Sequence, residues 1–429
     1  MQIEKAGNNV VSKSPLEGVG GCNYIIKNIT QLVTCSGFSA KHGQAMSDLE
    51  IIENGMVVIT NGVISYVGTS SSEIPVSNPE NYEIIDATGK AVLPGFIDSH
   101  THFVFGGYRE EEFSWRMRGD SYMSIMERGG GIYSTVEATR ETSETELIDL
   151  GLSRLNNMLA MGVTTVEGKS GYGLDKETEL KQLRVMKELN LLHPINIVST
   201  YLGGHAVPKG FTENSYIDYM LQEVLPTIQK EKLAENCDIF CEKGVFSTEE
   251  SRRFLLKIKE MGFNAKIHAD EIVNTGGAEL AAEIGALSAD HLLQVSPKGI
   301  EALAKSQTVA TLLPCTAFSL KEHYAKGREM IDTGCAMALA TDFNPGSCFS
   351  SSIPLTIALA RIYMKLSPEE AVTALTINAA AALGKAGTIG SIDVGKKGDL
   401  IILEFPSYRF LPYHVGMNCV KKVIKSYEL

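Results

Sequence analysis

Hydrophobic positions along this chain fall into two regimes. Near the N-terminus they form short runs, Val57-Val58-Ile59-Thr60 and Val63-Ile64-Ser65-Tyr66-Val67, on either side of Asn61-Gly62. Both central residues of a type I′ turn need positive φ, so Asn-Gly between two apolar runs predicts a hairpin. The C-terminal end has the same grain: 390–403, broken by Gly390, Gly395 and Gly398, and Val420-Lys421-Lys422-Val423-Ile424 predict further short strands. The two ends, 1–90 and 386–429, are expected to pair in one small β-sandwich domain.

Between them, short apolar runs alternate with longer stretches of helical periodicity, such as 144–161 and 296–305. Strands are predicted near 96–98, 163–167, 195–201, 238–240, 264–267, 286–289, 309–313 and 336–340. Eight strand-then-helix units predict a (β/α)8 barrel over 91–385, in the α/β class, with its chemistry at the C-terminal ends of the strands. The residues at or just after those ends are His100 and His102, Lys169, His205, Glu242, His268, His291 and Asp342. Five of the nine histidines would thus meet at one barrel mouth.

Composition narrows the class. A hydrophobic fraction of 44% and a charged fraction of 21% suit a globular protein with a sizeable core. The net charge of −12, without a basic run, predicts no nucleic-acid partner, and an anionic ligand would need a local Arg or Lys. The first residues lack the pattern of a secretory signal, and no stretch is long enough to predict a membrane span. The eight cysteines form no framework, and Cys237 and Cys241 flank Asp238-Ile239-Phe240, which reads as strand. A reducing, cytoplasmic setting is expected.

The chemistry starts at Pro94-Gly95-Phe96-Ile97-Asp98-Ser99-His100-Thr101-His102. In extended backbone an i, i+2 spacing puts both imidazoles on one face, where they can bind the same ion. With His268 and Asp342 they make three nitrogens and one carboxylate, a set suited to one divalent ion with a position left for water.

This succession, with the later His268 and Asp342, resembles the amidohydrolase superfamily. The segments Phe105-Gly106-Gly107-Tyr108-Arg109-Glu110-Glu111-Glu112-Phe113, Gly129-Gly130-Gly131-Ile132, Lys169-Ser170-Gly171-Tyr172-Gly173-Leu174 and Ile267-His268-Ala269-Asp270-Glu271 narrow the likeness to its branch in histidine degradation. The likeness runs over nearly the whole chain. It implies hydrolysis of the ring amide of 4-imidazolone-5-propanoate to N-formimidoyl-L-glutamate, one zinc or iron ion (divalent or trivalent) per subunit, and a homodimer. A deaminase of an aromatic heterocycle on the same scaffold would share the metal set but leave Arg109 and Tyr172 without a reason.

The resemblance also distributes roles. Glu271, three residues beyond a ligand, is expected to hydrogen-bond a ring nitrogen and pass a proton to it. His291 reads two ways, as a group beside the attacking water or as an orienter of Asp342. Arg109 is expected to grip the propionate with its planar fork. Tyr172, His205, Tyr122, Asn344, Gly346 and Ser347 join it as substrate contacts. Lys169 is expected to be an unmodified, charged structural partner, and Glu242 to stand behind the ligands. Gly129, Gly130 and Gly131 fit a lid over the mouth or an ordinary tight turn equally well.

Overall fold

In the computed structural model, residues 23–71, 73–120, 124 and 128–426 are described; Tyr122 lies outside them. In chain order the strands are β1 (Tyr24–Val33), β2 (Ile51–Thr60), β3 (Val63–Thr69), β4 (Glu83–Asp86), β5 (Ala91–Pro94), β6 (Phe96–Asp98), β7 (Val163–Lys169) and β8 (Asn196–Gly204). They continue as β9 (Asn236–Cys241), β10 (Asn264–Ala269), β11 (Ser288–His291), β12 (Val309–Leu312), β13 (Met337–Leu339), β14 (Leu400–Leu403) and β15 (Val420–Ile424).

The predicted hairpin is β2–β3. Asn61 and Gly62 both take positive φ, 50° and 78°, which closes the turn with Thr60 opposite Val63. The strands near the two ends share one seven-stranded mixed sheet, ordered β15-β14-β5-β1-β2-β3 with β4 beside β1. Alternation along β1 and β2 divides their apolar side chains between two clusters. Ile26, Ile29, Leu32, Val57 and Ile59 pack with Val92, Leu400 and Ile402, while Ile25, Met56 and Val58 form the other.

Residues 390–399, expected to begin a strand, run as turns, and β14 starts only at Leu400. The cause is a buried ammonium. Lys396 Nζ donates to the carbonyls of Gly37 and Ala386 and to Ser391 Oγ, each at 2.6 Å, so the segment wraps a polar centre and meets β3 through a short bridge at Val63 and Lys397 in place of a full strand.

β6 to β13 form an eight-stranded sheet in sequential parallel order, matching the strands read from the sequence. A parallel sheet buried on both faces needs nearly continuous apolar strands, and every residue of β7, β11, β12 and β13 is buried. The seam between the first and last strands closes just beyond their ends. Asp342 N donates to His100 O (3.0 Å), His102 N to Phe343 O (2.9 Å), and Thr341 donates twice to Asp98, from N (2.9 Å) and Oγ1 (2.6 Å). Helices between the strands start on side-chain caps: Ser143 before Glu144–Ala160, Asp175 before Lys176–Leu192, Ser247 before Thr248–Glu260 and Ser296 before Pro297–Ala304. No described helix is long and apolar enough to cross a membrane.

The chain passes from the terminal sheet to the barrel through Gly95. A Cβ there would lie 2.3 Å from the Thr164 side chain on β7, so the two layers meet only because this residue has none. Gly95→Ala is expected to cost about 1–3 kcal/mol of stability, as overpacking does. A lowered urea midpoint checks this; an unchanged midpoint would contradict so close an approach.

Candidate active site

Five histidines line the barrel mouth, as the strand ends required. His100 and His102 follow β6 in extended backbone, His268 lies on β10, His291 ends β11 and His205 follows β8. Ring centroids are 5.3 Å apart for His100 and His102, 4.6 Å for His100 and His268, and 5.7 Å for His102 and His268. Asp342 reaches between the first two: its Oδ1 lies 3.6 Å from Nε2 of both His100 and His102. Its other oxygen accepts from Thr316 Oγ1 at 2.6 Å, which fixes the carboxylate plane.

Burial holds His100, His102 and His268 neutral, well below the usual imidazole range. The next largest contribution is the charge of Lys169 for His100, of His205 for His102 and of His291 for His268. His100 Nε2, His102 Nδ1 and His268 Nε2 are buried without a hydrogen-bond partner. Orphaned imidazole nitrogens facing one carboxylate are costly unless something accepts their lone pairs, and a metal ion is the group that does so. Candidate donor atoms of His100, His102 and Asp342 lie within 4.8 Å of one another, as do those of His102, His205 and His268, and of His100, His268 and His291. Burial pushes the Asp342 carboxyl up to about 7 against its hydrogen bonds from Thr316 and Asn344. A cation at this point would favour the ionised form.

Beneath the ring lies a charged layer that the sequence reading missed except for Lys169. Asp290 Oδ2 lies 2.7 Å from His100 Nδ1, and Asp238 Oδ2 lies 3.0 Å from His268 Nδ1. Each carboxylate thereby favours the tautomer with hydrogen on Nδ1 and a lone pair on Nε2. Lys169 Nζ lies 2.6 Å from Asp238, 3.1 Å from Glu167 and 3.4 Å from Asp290, while Lys266 Nζ lies 3.2 Å from Glu167 and 3.8 Å from Asp290. All five side chains are fully buried. Burial works against the Lys169 charge, but the three carboxylates outweigh it and hold the ammonium above the usual lysine range. The expectation of a charged structural lysine fits this contact set. Glu167 and Lys266 interrupt otherwise apolar strands, and that interruption was the available signal.

The proton-carrying candidates sit on one side of the ring. Glu271 Oε1 is 3.5 Å from His291 Nδ1, and no ion pair links His291 to Asp342. Burial, then the charges of Asp342 and Glu242, push Glu271 up to about 8, and burial pushes His291 down to about 4. Two other carboxylates fix the Glu271 loop. Glu242 Oε2 accepts from Ile272 N (2.8 Å) and Val273 N (3.3 Å). Asp270, at a positive φ of 50°, accepts the amides of Thr275, Gly276, Gly277 and Ala278 at the start of the next helix. Glu242 thus stands behind Glu271.

The expected substrate contacts gather around His102 and His205 and in the loop after Asp342. Tyr172 is buried, its ring centroid 5.8 Å from that of His102 and 5.4 Å from that of His205. Its loop is held by Glu179, which accepts from Gly171 N, Gly173 N and Leu174 N at 2.8–3.0 Å, and by Gln182, which accepts from Tyr172 N at 3.2 Å. Neither Glu179 nor Gln182 was expected from sequence. His205 Nδ1 donates to Gly171 O (3.2 Å), which leaves its Nε2 as an acceptor. Arg109 gives Nε and Nη2 to Glu112 Oε2 at 3.0 and 2.8 Å. Asn344 shapes its own loop: Oδ1 accepts from Gly346 N and Ser347 N at 2.8 and 2.7 Å, and Nδ2 donates to Asp342 O and Ser347 Oγ. Gly129 and Gly131 take φ of 84° in a turn, and Gly131 N donates to the other oxygen of Glu112.

Two outcomes test this geometry. Asp238→Asn is expected to weaken metal binding about 10- to 100-fold, as loss of a ligand's carboxylate partner does; competition against a chelator reads it, and an undiminished affinity would rule the role out. In the metal-free protein, His193, His205 and His291 are depressed to about 4 by burial, so the unfolded chain binds more protons below its ordinary imidazole range. These three groups alone would make stability fall as pH drops from about 6.5 towards 4, while the raised carboxyls of Glu271, Asp342 and Asp98 act in the opposite sense over the same window, so the test follows the rings themselves, which are expected to titrate near 4. Histidine ring signals in NMR that all titrate near 6.5 would exclude neutral, buried imidazoles.

Comparison with known proteins fits this site. Two profiles described as Amidohydrolase family match residues 245–426 and 83–132. The chain is 61% identical over 407 residues to the imidazolonepropionase of Parabacteroides distasonis, covering 94% of this chain and 98% of that one. The Clostridium tetani imidazolonepropionase is 59% identical, covering 94% and 97%. Among solved structures, a Xanthomonas campestris adenosine deaminase with bound zinc superposes with a TM-score of 0.71 at 17% identity, covering 94% of this chain and 92% of that one. A guanine deaminase from C. acetobutylicum gives 0.68 at 15%, covering 94% and 99%, and these two likenesses speak for the fold alone. Full-length identity near 60%, on a barrel that gathers its histidines and Asp342 at one mouth, shows that the chain belongs to the imidazolonepropionase family of the amidohydrolases.

Proposed function

We propose that this protein hydrolyses the ring amide of 4-imidazolone-5-propanoate to N-formimidoyl-L-glutamate, using one metal ion held by His100, His102, His268 and Asp342. The observation that carries the reading is the pairing of two features at one mouth. Orphaned neutral imidazoles face Asp342, and a guanidinium, Arg109, lies close enough to the buried Tyr172 and to His205 for its charge to act on both. Nitrogen and carboxylate donors suit zinc or iron. When bound, such an ion supplies the Lewis acidity that lets water act as a nucleophile near neutral pH.

The protein's own groups do the rest. Overall, a water oxygen adds to the ring carbonyl carbon, the carbon–nitrogen bond opens and the released nitrogen takes a proton. Glu271, which retains a proton well above the usual carboxyl range, holds that proton at Oε within reach of a ring nitrogen and exchanges it with His291. Arg109 faces the propionate, and Tyr172 and His205 bound the ring. Asn344 shapes the turn that presents Gly346 and Ser347 to the substrate. A heterocycle deaminase on the same barrel would give Arg109 and Tyr172 no substrate carboxylate to recognise. A homodimer and a cytoplasmic location form part of this reading and rest on the family likeness.

Incubation with imidazolone propionate is expected to bleach the ring absorbance and yield N-formimidoyl-L-glutamate; release of ammonia with the ring intact would reject the reading. Glu271→Gln is expected to lower kcat about 10²- to 10⁴-fold while metal content is retained. A fully active variant would remove Glu271 from proton transfer.

A further inference from the structure

Helix Glu110–Met117 begins directly after Arg109 and carries Arg116 in its last turn. Both guanidiniums close on the same backbone. Arg116 Nη2 donates to Gly346 O at 3.1 Å, and a Cβ built on Gly346 would fall 2.1 Å from Arg109 Nη1. The two cations therefore bracket Gly346, in the loop that follows Asp342.

Among the described residues their counter-charge is incomplete. Glu112 is the carboxylate beside them, and it is already engaged: Oε2 takes two donors of Arg109 and Oε1 takes Gly131 N. Arg116 Nη1 is buried and has no hydrogen-bond partner among the described residues. Burial and the charge of Arg109 both act against the Arg116 cation, with only Glu112 acting for it. An unpartnered N–H of a cation, out of water and beside a like charge, is among the more expensive arrangements a protein keeps. Among the described residues the two guanidiniums share one engaged carboxylate and leave one cationic N–H uncompensated, and a further carboxylate matches the planar forks.

We infer that Arg116 is a second cation for the substrate's carboxylate tail, its free Nη1 donating to the propionate that Arg109 also faces. The inference rests on the reading of Arg109 given above and extends it: specificity for an acid over its neutral counterpart belongs to the pair. Gly346 belongs to the same device, since a side chain there would displace the Arg109 fork.

The test compares two stable dead-end ligands that differ only in charge, imidazole-4-propionate and imidazole-4-propionamide, as inhibitors of the metal-loaded enzyme. Arg116→Gln is expected to weaken inhibition by the acid about 10- to 100-fold, the worth of a charge-assisted hydrogen bond, with far less effect on the amide. The loss with substrate is expected in KM more than in kcat. Arg116→Lys, which restores the charge without the fork, is expected to recover part of the preference for the acid. Equal weakening of acid and amide, or no change in either, would overturn the proposal and leave Arg116 as a brace for the Gly346 carbonyl. Arg109→Gln measured in parallel separates the two readings. Loss of the acid preference in that variant alone would overturn the role of Arg116 and keep that of Arg109, while its retention in both variants would overturn both.

Discussion

The site depends on a layer of buried charge inside the barrel. Two ammoniums, Lys169 and Lys266, are enclosed with Glu167, Asp238 and Asp290, none of them exposed to solvent. Breaking such a group by removing one member leaves an uncompensated charge in a low-dielectric interior, which costs several kcal/mol. Neutral imidazoles above the layer, oriented by carboxylates within it, are the result. The layer converts the electrostatic difficulty of a barrel interior into fixed directions for two nitrogen donors.

Unfavourable backbone also occurs at this end. Asp270, His291, Leu292 and Asp342 all hold positive φ, between 50° and 77°, at the carboxyl ends of barrel strands. Non-glycine residues keep such angles only where their surroundings fix them. Here carboxylates do much of the fixing: Asp270 ties its own segment to the following helix, Glu242 binds the next amides, and Glu179 encloses the Tyr172 turn. The loops that carry the chemistry are thus shaped from within by acids that make no direct contact with it.

The fold and the gathering of five histidines with Asp342 at one mouth were legible because both follow from local pattern. Strand periodicity and length locate β6 to β13, and a histidine or aspartate just past an apolar run marks the mouth of the barrel. Asp238 and Asp290 were not legible as partners. Asp238 sat in the sequence as the middle of a strand between cysteines, and its role depends on the stagger between neighbouring strands, which residue spacing within one strand does not encode. Arg116 was hidden for a similar reason, since its meaning comes from Gly346, 230 positions away. The segment 390–399 reads as strand from its apolar and glycine positions, and only the tertiary environment reveals that it winds around the Lys396 ammonium and keeps just a short bridge to β3.

The seam of the barrel has one more consequence. Asp98 and Thr341, 243 positions apart, are joined at the point where the His100 and His102 pair meets Asp342. A nascent chain that has not yet made its final barrel strand carries the three imidazoles of the proposed donor set but lacks Asp342. On that proposal, competence to capture an ion arrives with circumferential closure, so an unfinished or truncated polypeptide has no complete coordination set with which to sequester a reactive metal.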